Sequence, residues 1–172
     1  LGDPALSLNL PTLEIKVETM NGQAPNASGS VTLKGGSVVT VKGYIAKAGN
    51  KQTDYKGLLT ATVRDTKELI TCKQQEETST SAFQYYDRQK VLYNGTDSIK
   101  NGEFTFTFAV PLDINYAAGT GLINLFAIND NHTLMAQGHE EGFTIDGTEV
   151  VYNDSIGPSI YAYLNSHSFV NG

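Results

Sequence analysis

The sequence predicts an all-β chain, an immunoglobulin-like sandwich of about seven to nine antiparallel strands, on three observations. Phe104, Phe106, Phe108 and Val110 recur at every second position, with Glu103, Thr105 and Thr107 between them. Successive strand side chains point to opposite faces, so this segment has one apolar and one wet face. Charged residues make up only 17% of the chain, while Gly, Ser, Thr and Asn are frequent, which suits short strands joined by polar turns. No stretch carries the apolar spacing of an amphipathic helix. The chain has no Trp and a single cysteine, so the immunoglobulin topology rests on strand pattern alone.

Residues 1–11, with two prolines and a short apolar run, read as a connector, and the sandwich follows over residues 12–152. Residues 12–18 alternate, with Leu13, Ile15 and Val17 inward; residues 20–30 are an Asn-, Gly- and Pro-rich loop. Val31-Thr32-Leu33 is a short strand before the turn at Lys34-Gly35-Gly36. Residues 38–46 form a longer strand with Val39, Val41 and Ile45 on one face. Gly43 falls in that register and leaves a gap for a bulge or a large neighbour to fill. After a polar loop at 47–56, Leu59, Ala61 and Val63 supply the next inward face, and Arg64-Asp65 turns the chain.

Residues 68–72 favour an extended segment, and 73–81, the most polar stretch, a mobile loop. Extended structure resumes at 85–91, Asn94-Gly95 marks a turn, and Asn101-Gly102 turns the chain into the Phe-rich strand that Pro111 ends. A connection over 112–121 leads to residues 122–128, which are apolar on both faces, as in a central strand. A turn at 129–132, strands at 133–137 and 143–145, a turn at Asp146-Gly147 and a strand at 150–152 complete the sandwich. Residues 153–172 read as a linker and the start of a following domain.

A net charge of −6 argues against nucleic acid or an anionic membrane as partner, since both need a basic face. Cys72 is the only cysteine, so no internal disulfide forms. No apolar run approaches the 18 residues or so of a membrane span, and no signal-peptide pattern opens the chain. The sequence reads as a piece of something longer.

Several segments together resemble the region that follows the catalytic domain in gingipain-like C25 peptidases, nearest to the sortases of the type IX secretion system. Leu1-Gly2-Asp3-Pro4-Ala5-Leu6 looks like the motif that closes the peptidase domain in this family. Residues 55–65 look like its next strand, and the run from Gly102-Glu103-Phe104 to Asp113-Ile114-Asn115-Tyr116 like its Phe-rich strand and the segment after it. Residues 121–130 and Ala136-Gln137-Gly138 fit the following strand pair, and residues 154–165 are similar to the start of the next domain. The resemblance implies a cell-surface, outer-membrane-associated protein of Bacteroidetes that cleaves the sorting domains of secreted cargo and links that cargo to lipopolysaccharide. It implies as partners the adjacent peptidase and downstream domains, with cargo or secretion machinery beyond them. The peptidase domain, with its catalytic Cys and His, is not in this sequence.

The residues themselves assign no catalytic, cofactor or metal site. Cys72 needs an imidazole to hold it as thiolate, and His132, His139 and His167 form no motif with it; a buried, inert thiol is expected. The histidines lack zinc spacing. Asp113, Asp130, Asp146 and Asp154 fall in predicted turns, where Asp bonds its own backbone, and no Asp-x-Asp-x-Asp calcium loop occurs. Glu140-Glu141 would face opposite ways on a strand and belong to a solvated loop. Tyr85 and Tyr86 are the candidate interaction residues, one expected in the core and one outside. Asp97-Ser98-Ile99 and Asp154-Ser155-Ile156 resemble the acceptor motif of Bacteroidetes O-glycosylation, at Ser98 and Ser155. The expected role is a non-catalytic accessory module; the rival roles are a carbohydrate-binding module, which needs an exposed aromatic row, and an adhesin, which needs an open strand edge.

Overall fold

The alternation read from the sequence becomes strand after strand. The computed structural model describes residues 10–26, 31–73, 82–116 and 118–149. Over these residues it contains thirteen strands and no helix. They are β1 (Leu13–Met20), β2 (Val31–Gly35), β3 (Val38–Lys47), β4 (Asn50–Lys51), β5 (Gly57–Arg64), β6 (Glu68–Thr71) and β7 (Gln84–Asp87). After them come β8 (Val91–Ile99), β9 (Glu103–Ala109), β10 (Gly119–Thr120), β11 (Leu122–Asn129), β12 (Met135–Glu140) and β13 (Phe143–Thr148). Residues 1–9 of the predicted connector, residues 74–81 of the predicted loop, the strand at 150–152 and the terminal segment at 153–172 lie outside the described residues.

Eight strands form one sheet. β9 and β4 lie on one side of β3, and the order continues β1, β12, β11, β5, β8. β8 and β9 stand at opposite ends of that order, yet Asn101-Gly102 alone turns one into the other. Both turn residues have positive φ, 53° and 72°, the hairpin geometry an Asn-Gly pair favours. The sheet therefore folds back on itself and its apolar faces meet. Tyr93 of β8 stacks on Phe106 and Phe108 of β9, with ring centroids 5.7 and 5.2 Å apart. Phe104, Phe106, Phe108 and Val110 are all buried, alongside Val39, Val41, Ile45, Leu59, Val63, Ile123 and Leu125. A smaller sheet, β10-β13-β2, adds Val31, Leu33, Phe143 and Ile145 to the same core.

Two expectations are corrected here. The strands are not all antiparallel: β1 runs parallel to β12 (Leu13↔Ala136, Glu14↔Gln137) and β2 parallel to β13. Alternation carries no strand direction, and parallel neighbours need only a long crossover, which the chain between them supplies. The strand number exceeds the expected range because β4 and β10 are two-residue strands within the expected loop and connection, and because β6 and β7 form a short pair outside the two larger sheets. At the join between the two halves of the large sheet, Gly138 lets the Ile15 carbonyl pass; a Cβ there would overlap it.

Two predicted turns are strand instead. Asn94-Gly95 lies inside β8, because the Tyr93 ring folds over Gly95 and needs the space a side chain would take. Asp146-Gly147 lies inside β13, where Gly147 (φ 71°) takes up a register shift between Ile145 and Thr148. The gap expected at Gly43 is filled in both ways: β1 bulges between Val17 and Thr19, and the Phe104 ring lies against Gly43.

Tyr55 ties the turn after β11 to this core. Its hydroxyl donates to the Leu134 carbonyl at 3.1 Å, and burial, with a smaller contribution from Asp130, pushes it above the ordinary phenol value of 10. The folded state thus binds this proton more tightly than the unfolded chain. Its contribution is complete below about pH 10 and is lost as pH rises through the folded value. Thermal melts between pH 8 and 11 should show stability falling above about pH 10, with a shallower fall in Tyr55→Phe. An identical slope in both proteins would refute the assignment.

Candidate functional site

Among the described residues β6 and β7 pair only with each other, in the register Leu69↔Tyr86 and Ile70↔Tyr85, and form a two-stranded ribbon apart from both sheets. The Cys72 N–H extends the ladder to the Phe83 carbonyl at 2.8 Å. Both faces of such a ribbon reach solvent, which corrects the expectation for the tyrosine pair: neither is in the core. Tyr85 is 39% and Tyr86 69% exposed, and Tyr85 stacks on the exposed Phe83.

An isolated two-stranded hairpin is marginal in water, so its legs must be anchored, and both are. Before β6, the buried Asp65 accepts the N–H of Thr66 on Oδ1 and of Asn115 on Oδ2, each at 2.7 Å. After β7, the buried Arg88 donates from Nη2 to the Thr120 hydroxyl at 3.2 Å and carbonyl at 3.3 Å. Its Nη1 reaches Glu141 at 3.3 Å. Arg64 at the end of β5 donates from Nη1 to the Arg88 carbonyl at 3.1 Å. At the foot of the ribbon these groups border a cleft of about 310 Å³, lined by Arg64, Lys67, Tyr86, Arg88 and Leu122 among others. Both arginines of the chain converge there.

These cations were not recognised in the sequence. The one signal was the mirrored pair Arg64-Asp65 and Asp87-Arg88 bracketing the hairpin. A larger groove of about 810 Å³ follows β1 and β12. Its ionic groups already have partners: Glu14 pairs with Lys16 at 2.8 Å, and Glu140 Oε1 accepts the Gly142 N–H at 2.6 Å.

The remaining sequence candidates are scattered. Cys72 is half-buried just past the last β6–β7 pair, at the end away from the cleft, rather than sunk in the core. His132 lies on the turn after β11 and His139 on β12, both exposed. Asp113 pairs with Lys90 at 2.8 Å, which holds its carboxyl below the usual carboxylate range. Asp130 is on a turn and Asp146 on β13. Among the described residues no group of three or more His, Cys, Asp or Glu is placed to hold a metal ion. The pair Glu140-Glu141 is not a solvated loop: Glu140 ends β12 and Glu141 holds Arg88. Ser98 is exposed on β8, and its N–H bonds Asp97 at 2.6 Å. His167, Asp154 and Ser155 lie outside the described residues.

No protein-family model matches the chain, and no curated protein matches it. Among solved structures, dimeric latent PorU from Porphyromonas gingivalis matches with a TM-score of 0.73 and 30% identity, covering 100% of this chain and 16% of that one. The sporulation control protein Spo0M from Bacillus subtilis matches at 14% identity with a TM-score of 0.44. That match covers 81% of this chain and 50% of the other and carries no argument. The chain is PorU-related along its whole length and spans a small share of PorU.

Proposed function

We propose, with that whole-length likeness to a segment of PorU as premise, that this chain is a non-catalytic accessory domain of a C25-type peptidase. The parent is a cell-surface sortase of the type IX secretion system, as the motif order suggests. The domain buttresses the catalytic domain, spaces it from later domains and offers a docking surface for cargo or secretion machinery. The observation that carries the reading is the 30% identity extending over the full chain while covering 16% of PorU.

An immunoglobulin-like description of the domain is supported by the strand order. β1-β3-β9 corresponds to the A, B and E strands of that fold, and β12-β11-β5-β8 to G, F, C and C′. The inert role is supported by where the thiol sits. Cys72 lies beside Phe83 on a solvent-facing ribbon, and His132 and His139 belong to the β11–β12 hairpin of the large sheet. A nucleophilic cysteine needs its base within hydrogen-bond reach.

The test is an assay of the 172-residue chain against fluorogenic peptides after β-type circular dichroism and a cooperative melt have been recorded. No turnover is expected. Turnover that disappears in Cys72→Ala would overturn the reading.

A further inference from the structure

We propose that the β6–β7 ribbon and the cleft at its foot form a docking site for an extended peptide segment that carries an acidic side chain between apolar ones. The inference deepens the docking half of the accessory reading and rests on it. Charge complementarity is the first support. In an acidic chain, Arg64 and Lys67 line one cleft without an acidic partner, whereas Arg88 beside them is matched by Glu141. Lys67 is exposed and makes no ion pair or hydrogen bond among the described residues; Arg64 is half-buried with Nη1 engaged by the Arg88 carbonyl. The acid that also lines the cleft, Asp87, uses Oδ1 to accept the Arg88 N–H at 2.8 Å, and Glu68 stands opposite it in register. A guanidinium and an ammonium converging on a concave site suit a carboxylate.

The surroundings define the rest of the ligand. Arg64 has Leu122 and Val91 as its two cross-strand neighbours, and Val91 is 45% exposed. On the ribbon, Tyr86 and Leu69 are register partners, and Leu69 is 50% exposed. Apolar side chains thus lie on either side of Arg64 and on the ribbon beside the cleft, and an extended ligand would meet them with residues two positions from its acid, which share the acid's face. Among the described residues the ribbon pairs with no other strand, so each of its strands offers an edge to which a peptide backbone can add.

The experiment is a ¹⁵N NMR titration of the 172-residue chain with acetyl-Val-Thr-Glu-Thr-Val-amide, whose Glu and two Val share one face of an extended strand, and with the same peptide bearing Gln for Glu. Saturable shifts are expected at residues 67–70 and 84–88. Binding should be about fivefold weaker for the Gln peptide, and about fivefold weaker in Lys67→Glu, in line with one lost charge contact at a rim. Lys67 holds nothing else in place, so that variant keeps the fold; Tyr86→Ala tests the apolar half and should also weaken binding. Equal affinity for the two peptides would overturn the proposal, as would shifts confined to the groove along β1 and β12. The same shifts produced by inorganic phosphate at the same affinity would overturn it too, since they would mark a bare anion site. A null titration removes the docking site and leaves the buttressing role, which the turnover assay tests separately.

Discussion

Gly43→Val is expected to lower the melting temperature by roughly 6–12 °C, the equivalent of about 3 kcal/mol in a chain of this size. Gly43 pairs with Phe104 on one side and with Val17 on the other. A Cβ at this position would overlap the Lys16 carbonyl oxygen and the Phe104 ring. The ring can turn aside at the expense of its stacking with Phe106, whose centroid lies 6.2 Å away. The carbonyl belongs to β1, and moving it disturbs the β1–β3 ladder next to the bulge between Val17 and Thr19. Close-packed interiors have no slack to absorb such a shift. A double-mutant cycle with Phe104→Leu separates the two overlaps, because the second substitution relieves the ring and leaves the carbonyl. Partial rescue is expected. A Gly43→Val protein that melts with the parent would show that β3 does not lie against β1 and β9 as described.

What the sequence revealed and what it hid divide along a physical line. Alternation reports which side chains face inward, so Phe104 to Val110 and Leu59 to Val63 were legible as core strands, and the Asn101-Gly102 turn as a hairpin. The gap at Gly43 was legible too, because a glycine in the inward row must be filled by something. Alternation does not report direction or partner, so the parallel β1–β12 and β2–β13 pairs could not be read. The dipeptide signal at Asn94-Gly95 equals that at Asn101-Gly102; what differs is the Tyr93 ring lying over Gly95, a contact made in three dimensions. The ribbon was hidden for the same reason. Tyr85 and Tyr86 alternate as a half-buried strand would, and both are exposed because no sheet among the described residues packs on the ribbon. The cleft needed Arg64 and Arg88 to meet across 24 residues of chain.

Asp65→Ala is the second substitution expected to have a large effect, about 2–4 kcal/mol. Asp65 is almost fully buried, and its carboxylate is the acceptor for two backbone N–H groups, Thr66 and Asn115. Alanine leaves both donors facing the interior, and each buried donor without an acceptor costs about 1–3 kcal/mol, less where water re-enters beside the half-buried Asn115. Asp65→Asn keeps one carbonyl oxygen and turns an amide N–H₂ toward the other donor, so it should lose about half as much. The damage should also be local. Asp65 anchors the leg of the ribbon that enters β6, so amide exchange at residues 68–71 and 84–87 should accelerate more than exchange along β9. The next residue supplies the contrast within the same series. Thr66 Oγ1 is buried with no hydrogen-bond partner among the described residues. Thr66→Val removes an unsatisfied hydroxyl and should be neutral or stabilising by up to about 1 kcal/mol. Stability that fell in Thr66→Val and held in Asp65→Ala would reverse the account, placing the anchor in the hydroxyl and not in the carboxylate.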